Sequence, residues 1–189
     1  MASQGSHVFQ NTSFIRVYDR LHLALHDKEQ AERIARHDFL NRDSYMVVEM
    51  DPEPEATIFV PSCLSCIHDF CQSVSKKELT SSRHKIVFCT RPDSISVARS
   101  VFLIGCHLIM GHNLGHEETF EAFQPVYDAL QDVFACPHLS IKSCWHALRH
   151  AKTKGWVDFS DSELCPDDEP LFEEYLHYAR YMHALKEIS

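Results

Sequence analysis

Residues 101–123 read VFLIGCHLIMGHNLGHEETFEAF, and this run decides the fold. Its first ten residues carry no Asp, Glu, Lys or Arg and are apolar on nearly every side of a helix, the pattern of a helix buried inside a domain. Ten residues are too few to span a bilayer as a helix. Gly111 and Gly115 then interrupt the pattern, and Glu117 and Glu118 supply the negative charge that the first turn of a new helix favours. The run therefore predicts a buried helix, a tight corner and a second helix.

Moving outward toward the N-terminus, residues 85–89 (KIVFC) form a short apolar strand that leads through Thr90, Arg91, Pro92 and Asp93 into the central helix. Residues 14–17 and 21–25 are two further strands, with Leu21, Leu23 and Leu25 on a buried face and His22 and Ala24 on the other. Residues 27–38 form a surface helix with Ala31, Ile34 and Ala35 as its apolar stripe, and residues 45–50 a third strand candidate ended by the proline-bearing 51–55. From Pro61 to Lys76, Leu64, Ile67, Cys71 and Val74 recur at helical spacing. Toward the C-terminus, residues 140–154 place Ile141, Cys144, Trp145 and Leu148 on one helix face, with Gly155 as the stop, and residues 171–185 form the last helix. Strands confined to the first ninety residues, with helices dominating the rest, predict an α/β or α+β domain whose central sheet is covered by helices. Residues 1–12 are polar and expected to be mobile, and 13–189 are expected to form a single domain.

The chain of 189 residues has a net charge of −9. Residues 1–99 hold 12 Lys/Arg against 13 Asp/Glu and residues 100–189 hold 6 against 14, so the second half carries nearly all of the imbalance. A surface of that sign repels nucleic acid and matches a basic protein partner. No cleavable signal or membrane segment is visible, and eight cysteines without a secretory signal read as reduced thiols, which places the protein in the cytosol or nucleus.

Three groups of residues could carry chemistry. A cysteine ending a strand before a loop and a helix N-terminus is the arrangement of a cysteine phosphatase, in which loop amides and helix dipole hold both a thiolate and the phosphate oxygens. Cys89 occupies that place, but the arginine such an enzyme needs six residues on is Ile95, Pro92 removes a loop N–H, and Phe88 precedes the cysteine. Cys89 thus reads as a buried strand-end thiol, with a divergent active phosphatase as the alternative. Cys63, Cys66, His68 and Cys71 are close in sequence but fall at helical spacing without a second ligand pair. The pairs His112/His116 and His146/His150 have no carboxylate at defined spacing, so neither a metal nor another cofactor is expected. The third group is acidic: Asp158, Asp161, Glu163, Asp167, Asp168, Glu169, Glu173 and Glu174 occur without a Lys or Arg between them, and suit a docking groove for basic segments.

Phe102-Leu-Ile-Gly105, Glu117-Glu118 through Glu121-Ala122-Phe123, Gly155-Trp-Val-Asp-Phe159 and Tyr175-Leu-His-Tyr178, in that order and spacing, resemble the N-terminal domain of the mitotic-exit dual-specificity phosphatases, the cell division cycle fourteen family. The resemblance covers residues 14–178. It implies a phosphatase-like α/β fold without a catalytic loop of its own, set beside a second, active domain, with the first domain shaping an acidic groove that favours a basic residue after a phosphoserine-proline site. Carried over, the stretch 171–178 matches the acidic helix at the family's inter-domain junction, which places Glu173 and Glu174 nearest the groove, while Asp167, Asp168 and Glu169 belong to the acidic run before it. The expectation is a non-catalytic domain that binds basic or phosphorylated protein segments and pairs with a separate catalytic phosphatase domain. A fragment of a longer phosphatase is a further reading, since the family's active domain would begin where this sequence stops.

Overall fold

The computed structural model describes residues 14–38, 45–50, 59–81, 83–127, 130 and 140–159. Strands β1 (Ile15–Tyr18), β2 (Leu21–Ala24), β3 (Tyr45–Glu49) and β4 (Lys85–Cys89) form one sheet in the order β1-β2-β4-β3. β1 and β2 are an antiparallel pair, whereas β2, β4 and β3 run parallel, with Leu23 opposite Phe88 and Val48 opposite Phe88 on its other side. A parallel neighbour on each flank makes β4 the centre of the sheet, and Ile86, Val87, Phe88 and Cys89 are all buried, as a continuous apolar run predicts.

Helix α1 (Lys28–Asp38) packs on β3 and β4 from one side, where Ala31, Ala24, Val87 and Cys89 form a small separate cluster. The opposite face of the sheet, through Leu21, Leu23, Ile86 and Phe88, joins the main core with α2 (Leu64–Thr80), α3 (Ser94–Met110), α4 (His116–Tyr127) and α5 (Ile141–Thr153). The two-sided cover explains one departure from the sequence reading. All four residues of β2 are buried, so His22 and Ala24 do not face solvent: the strand lies between β1 and β4, and small Ala24 admits α1 on the second face. His22 meets its burial by hydrogen bonding through Nδ1 to the carbonyl oxygen of Arg20 at 3.0 Å. Burial lowers its pKa, partly offset by that bond.

α3 extends about two turns further toward β4 than the uncharged run alone suggests. Its N-cap is Asp93, whose carboxylate accepts from the Ser96 N–H at 2.9 Å. Thirteen of its 17 residues are buried, which is why it is apolar all round. The corner after it turns at Asn113, with φ of 60°, whereas Gly111 keeps a right-handed helical conformation. Asparagine tolerates the left-handed region better than most side chains, so the glycine beside it is not the hinge. α5 starts with a reciprocal Ser140/Ser143 capping box and stops at Gly155, where φ is 70° and the N–H of Trp156 reaches the Ala151 carbonyl, closing the last turn. Among the described residues no helix is long and apolar enough to cross a membrane. The expected mobile segment and the last helix, residues 171–185, lie outside the described residues.

Candidate functional site

The parallel strands β2, β4 and β3 all end at one edge of the sheet, the place where open α/β sheets hold ligands. A cavity of about 570 Å³ lies there, bounded by the residues after β2 (His26, Asp27, Lys28), the end of β3 (Val48, Glu49, Met50), the residues from Cys89 to Arg91 and the first turns of α3. Its wall carries Lys28, Lys77, Arg91 and Arg99 together with Asp27, Glu49 and Asp93, so charge is mixed.

Cys89 is the last residue of β4 and 1% exposed. Its side chain belongs to the cluster under α1 with Ala24, Ala31 and Val87. Burial, reinforced by the charge of Glu49, pushes the thiol up to about 11, so at neutral pH it is protonated. This is opposite to the direction a nucleophilic thiolate needs.

The loop after Cys89 is likewise committed elsewhere. The carbonyl of Cys89 accepts from the Met50 N–H at 2.9 Å, and the Thr90 N–H donates to the Ala24 carbonyl at 3.0 Å, so the sheet ladder continues through the start of the loop. Pro92 has no N–H. At the helix N-terminus, where a phosphate would lie, the Asp93 carboxylate already accepts from Ser96 and pairs with Arg91 at 3.6 Å. The strand, loop and helix thus follow one another as in a cysteine phosphatase, with the Asp93 carboxylate capping the helix N-terminus and Ile95 six residues after Cys89.

The four residues of the cysteine-rich segment do not converge. Cys71 is buried in the main core beside Val74, His68 packs edge-on against Phe159 and contacts Asp69, and Cys63 and Cys66 pair with each other at 3.1 Å. His112 and His116 separate, since His112 reaches Glu78 while His116 stacks on His146 and contacts Glu117. His150 turns to the exposed ring of Trp156. The acidic candidates Asp167, Asp168, Glu169, Glu173 and Glu174 lie outside the described residues.

One constellation escaped the sequence reading. Glu78, in the last turn of α2, accepts from His107 Nε2 at 2.9 Å through one oxygen and from His112 Nε2 at 3.0 Å through the other. Burial would raise the carboxyl pKa, but the two imidazole hydrogen bonds, His107 first, outweigh it and hold it at about 2. Ligand atoms of the three residues lie within 4.8 Å of one another, the reach of a divalent cation's ligand shell. The hydrogen bonding explains the trio without a metal: Nδ1 of His107 is buried with no partner among the described residues, which assigns the ring proton to Nε2, where Glu78 accepts it. A metal on Nε2 would force that proton onto Nδ1 and bury an unanswered N–H. The trio therefore works as a clasp between α2, α3 and the corner that follows. Only folding brings Glu78 to residues 29 and 34 positions away, and His107 is hidden within the apolar run.

The family model described as the N-terminal half of dual specificity protein phosphatases matches residues 15–151, from β1 almost to the end of α5. Dual specificity protein phosphatase CDC14C of Symphalangus syndactylus is 25% identical over 181 residues, covering 90% of this chain and 34% of that protein. Dual specificity protein phosphatase CDC14B of Mus musculus is 25% identical over 142 residues, covering 70% of this chain and 27% of the relative. The chain thus spans about a third of the length of the curated relatives it matches. The family resemblance read from the ordered motifs is borne out, as is the α/β fold with helices over a central sheet.

Proposed function

Since the chain belongs to the family formed by the N-terminal half of dual specificity protein phosphatases, we propose that it is a non-catalytic phosphatase-like module that selects protein substrates or partners, and that chemistry is left to a separate catalytic domain. One observation carries this reading: the strand, loop and helix that would form a catalytic centre hold a buried, protonated Cys89 and the Asp93 carboxylate at the anion position. A carboxylate at that place repels the dianion a phosphatase must bind. The partner surface is the acidic stretch that includes Asp167, Asp168, Glu169, Glu173 and Glu174, whose charge suits Lys- or Arg-bearing segments, including phosphorylated ones with a basic neighbour. No metal or other cofactor takes part in that role.

The test has two arms. Purified chain is assayed with a small aryl phosphate from pH 5 to 8, and no turnover above a Cys89→Ser control is expected; turnover that disappears in Cys89→Ser overturns the non-catalytic reading. Binding of a fluorescent basic phosphopeptide is then measured at low salt, where Glu173→Lys with Glu174→Lys weakens it about tenfold. Equal affinity of that double variant removes the acidic surface.

A further inference from the structure

We propose that Cys63 and Cys66 form a redox-active dithiol at the start of α2, a site of reversible disulfide formation. Cys63 is the N-cap of α2 and Cys66 stands one turn on, with their sulfurs 3.1 Å apart. A Cys-x-x-Cys at a helix N-terminus is the arrangement in which oriented backbone N–H groups stabilise the thiolate of the first cysteine. The first turn of α2 holds no acidic residue to oppose a negative charge there.

The surroundings distinguish the two sulfurs. Burial opposes ionisation of Cys63, but hydrogen bonds from the Ser65 hydroxyl, the Cys66 thiol and the backbone N–H groups of Cys66 and Ser65 outweigh it and lower its pKa. Cys66 is pushed up to about 11, by burial first and then by its bond to Cys63 and by that neighbour's charge. One thiol is prepared to attack and the other keeps its proton. Among the described residues the remaining cysteines lack this pairing: Cys71, Cys89 and Cys106 are buried, and burial raises each of them, as it does half-buried Cys144. Cys66 is exposed and Cys63 half-buried, so a small oxidant reaches them first.

The oxidant is hydrogen peroxide. The Cys63 thiolate attacks one peroxide oxygen, the O–O bond breaks, and the departing oxygen takes a proton and leaves as water, which places a sulfenic acid on Cys63. The Cys66 sulfur then attacks the Cys63 sulfur, an S–S bond forms, and the S–O bond breaks with loss of a second water. Two thiols are oxidised by two electrons and one peroxide is reduced to two waters. A thiol of the glutathione class reverses the bond by exchange. Because Cys66 lines the wall of the strand-edge cavity, closure of the disulfide alters that wall.

The experiment treats the reduced full chain with stoichiometric hydrogen peroxide, quenches with acid, alkylates the remaining thiols and maps the peptides by mass spectrometry. The expected product is a Cys63–Cys66 disulfide that dithiothreitol reverses. Cys66→Ser stops at a sulfenic acid on Cys63, trapped by dimedone, whereas Cys63→Ser leaves Cys66 unoxidised. Serine is itself a good N-cap, so the second variant keeps the helix start, which circular dichroism checks. Full alkylation of both thiols in the folded wild-type chain, oxidation falling first on another cysteine, or sulfenic acid on Cys66 in Cys63→Ser would each overturn the proposal.

Discussion

Gly105→Ala tests how α5 is held against the central helix. In a solvent-facing helix this change is favourable by about 1 kcal/mol, because alanine loses less backbone freedom than glycine on folding. Here a Cβ at position 105 would overlap Cζ2 and Cε2 of Trp145 and lie 2.7 Å from Nε1. Trp145 is fully buried, and its indole N–H donates to the Phe102 carbonyl at 3.1 Å, so the ring cannot retreat without breaking a buried hydrogen bond. Overpacking costs about 1–3 kcal/mol and an orphaned buried donor a further ~1–3. Set against the helix gain, the net expectation is a loss of about 1–5 kcal/mol, or ~2–20 °C in Tm for a chain of this size. Urea unfolding followed by tryptophan fluorescence in a Trp156→Phe background reads it, since Trp156 is 67% exposed and would blur the signal of Trp145. Adding Trp145→Phe removes the overlapping atoms; that background then holds no tryptophan, so unfolding is followed by circular dichroism, and the double variant should lie at least about 1 kcal/mol above the sum of the single changes. An unchanged or raised midpoint in Gly105→Ala refutes the packing argument.

The Glu78 clasp makes stability depend on acid. Its folded pKa of about 2 lies below the ordinary carboxylate value of 4.5, so its contribution is complete above about pH 4.5 and is lost as pH falls toward 2. Allowing for partial exposure, that loss is about 2 kcal/mol, and Glu78→Gln should flatten this part of the stability–pH curve while lowering stability at pH 7 by a similar amount; parallel curves would show that the clasp carries no charge. Asp93→Ala removes the N-cap of α3 and should cost about 1 kcal/mol in urea unfolding, with the helix otherwise intact by circular dichroism.

Most of the element order was legible because each segment carries its own period. The uncharged run 101–110 could only be a helix surrounded by protein, and Leu64, Ile67, Cys71 and Val74 marked the buried side of α2. Alternation misled in β2, since a strand with both faces covered has no solvent side for its polar residues to mark, and His22 is accommodated by a local hydrogen bond instead. The glycines around the corner misled in another way, because a left-handed turn can be taken by Asn113. At the candidate site, the missing arginine and the proline of the loop were visible in the one-dimensional pattern around Cys89. The carboxylate that takes the anion's place was not, since Asp93 reads equally as a loop residue until it is seen capping α3.

What the sequence determined by itself is therefore whatever depends on near neighbours: helix and strand periods, caps, the motifs that carry family membership, and the isoleucine six residues after Cys89. Tertiary structure decided what depends on distant partners. It buried Cys89 under α1 and kept it protonated, turned two sulfurs in one helical turn toward each other with different acidities, and brought Glu78 between two histidines about thirty residues away. The physical reason is common to all three. Acidity and hydrogen-bond pairing follow from the field and solvent at a point in space, and packing determines which residues share that point.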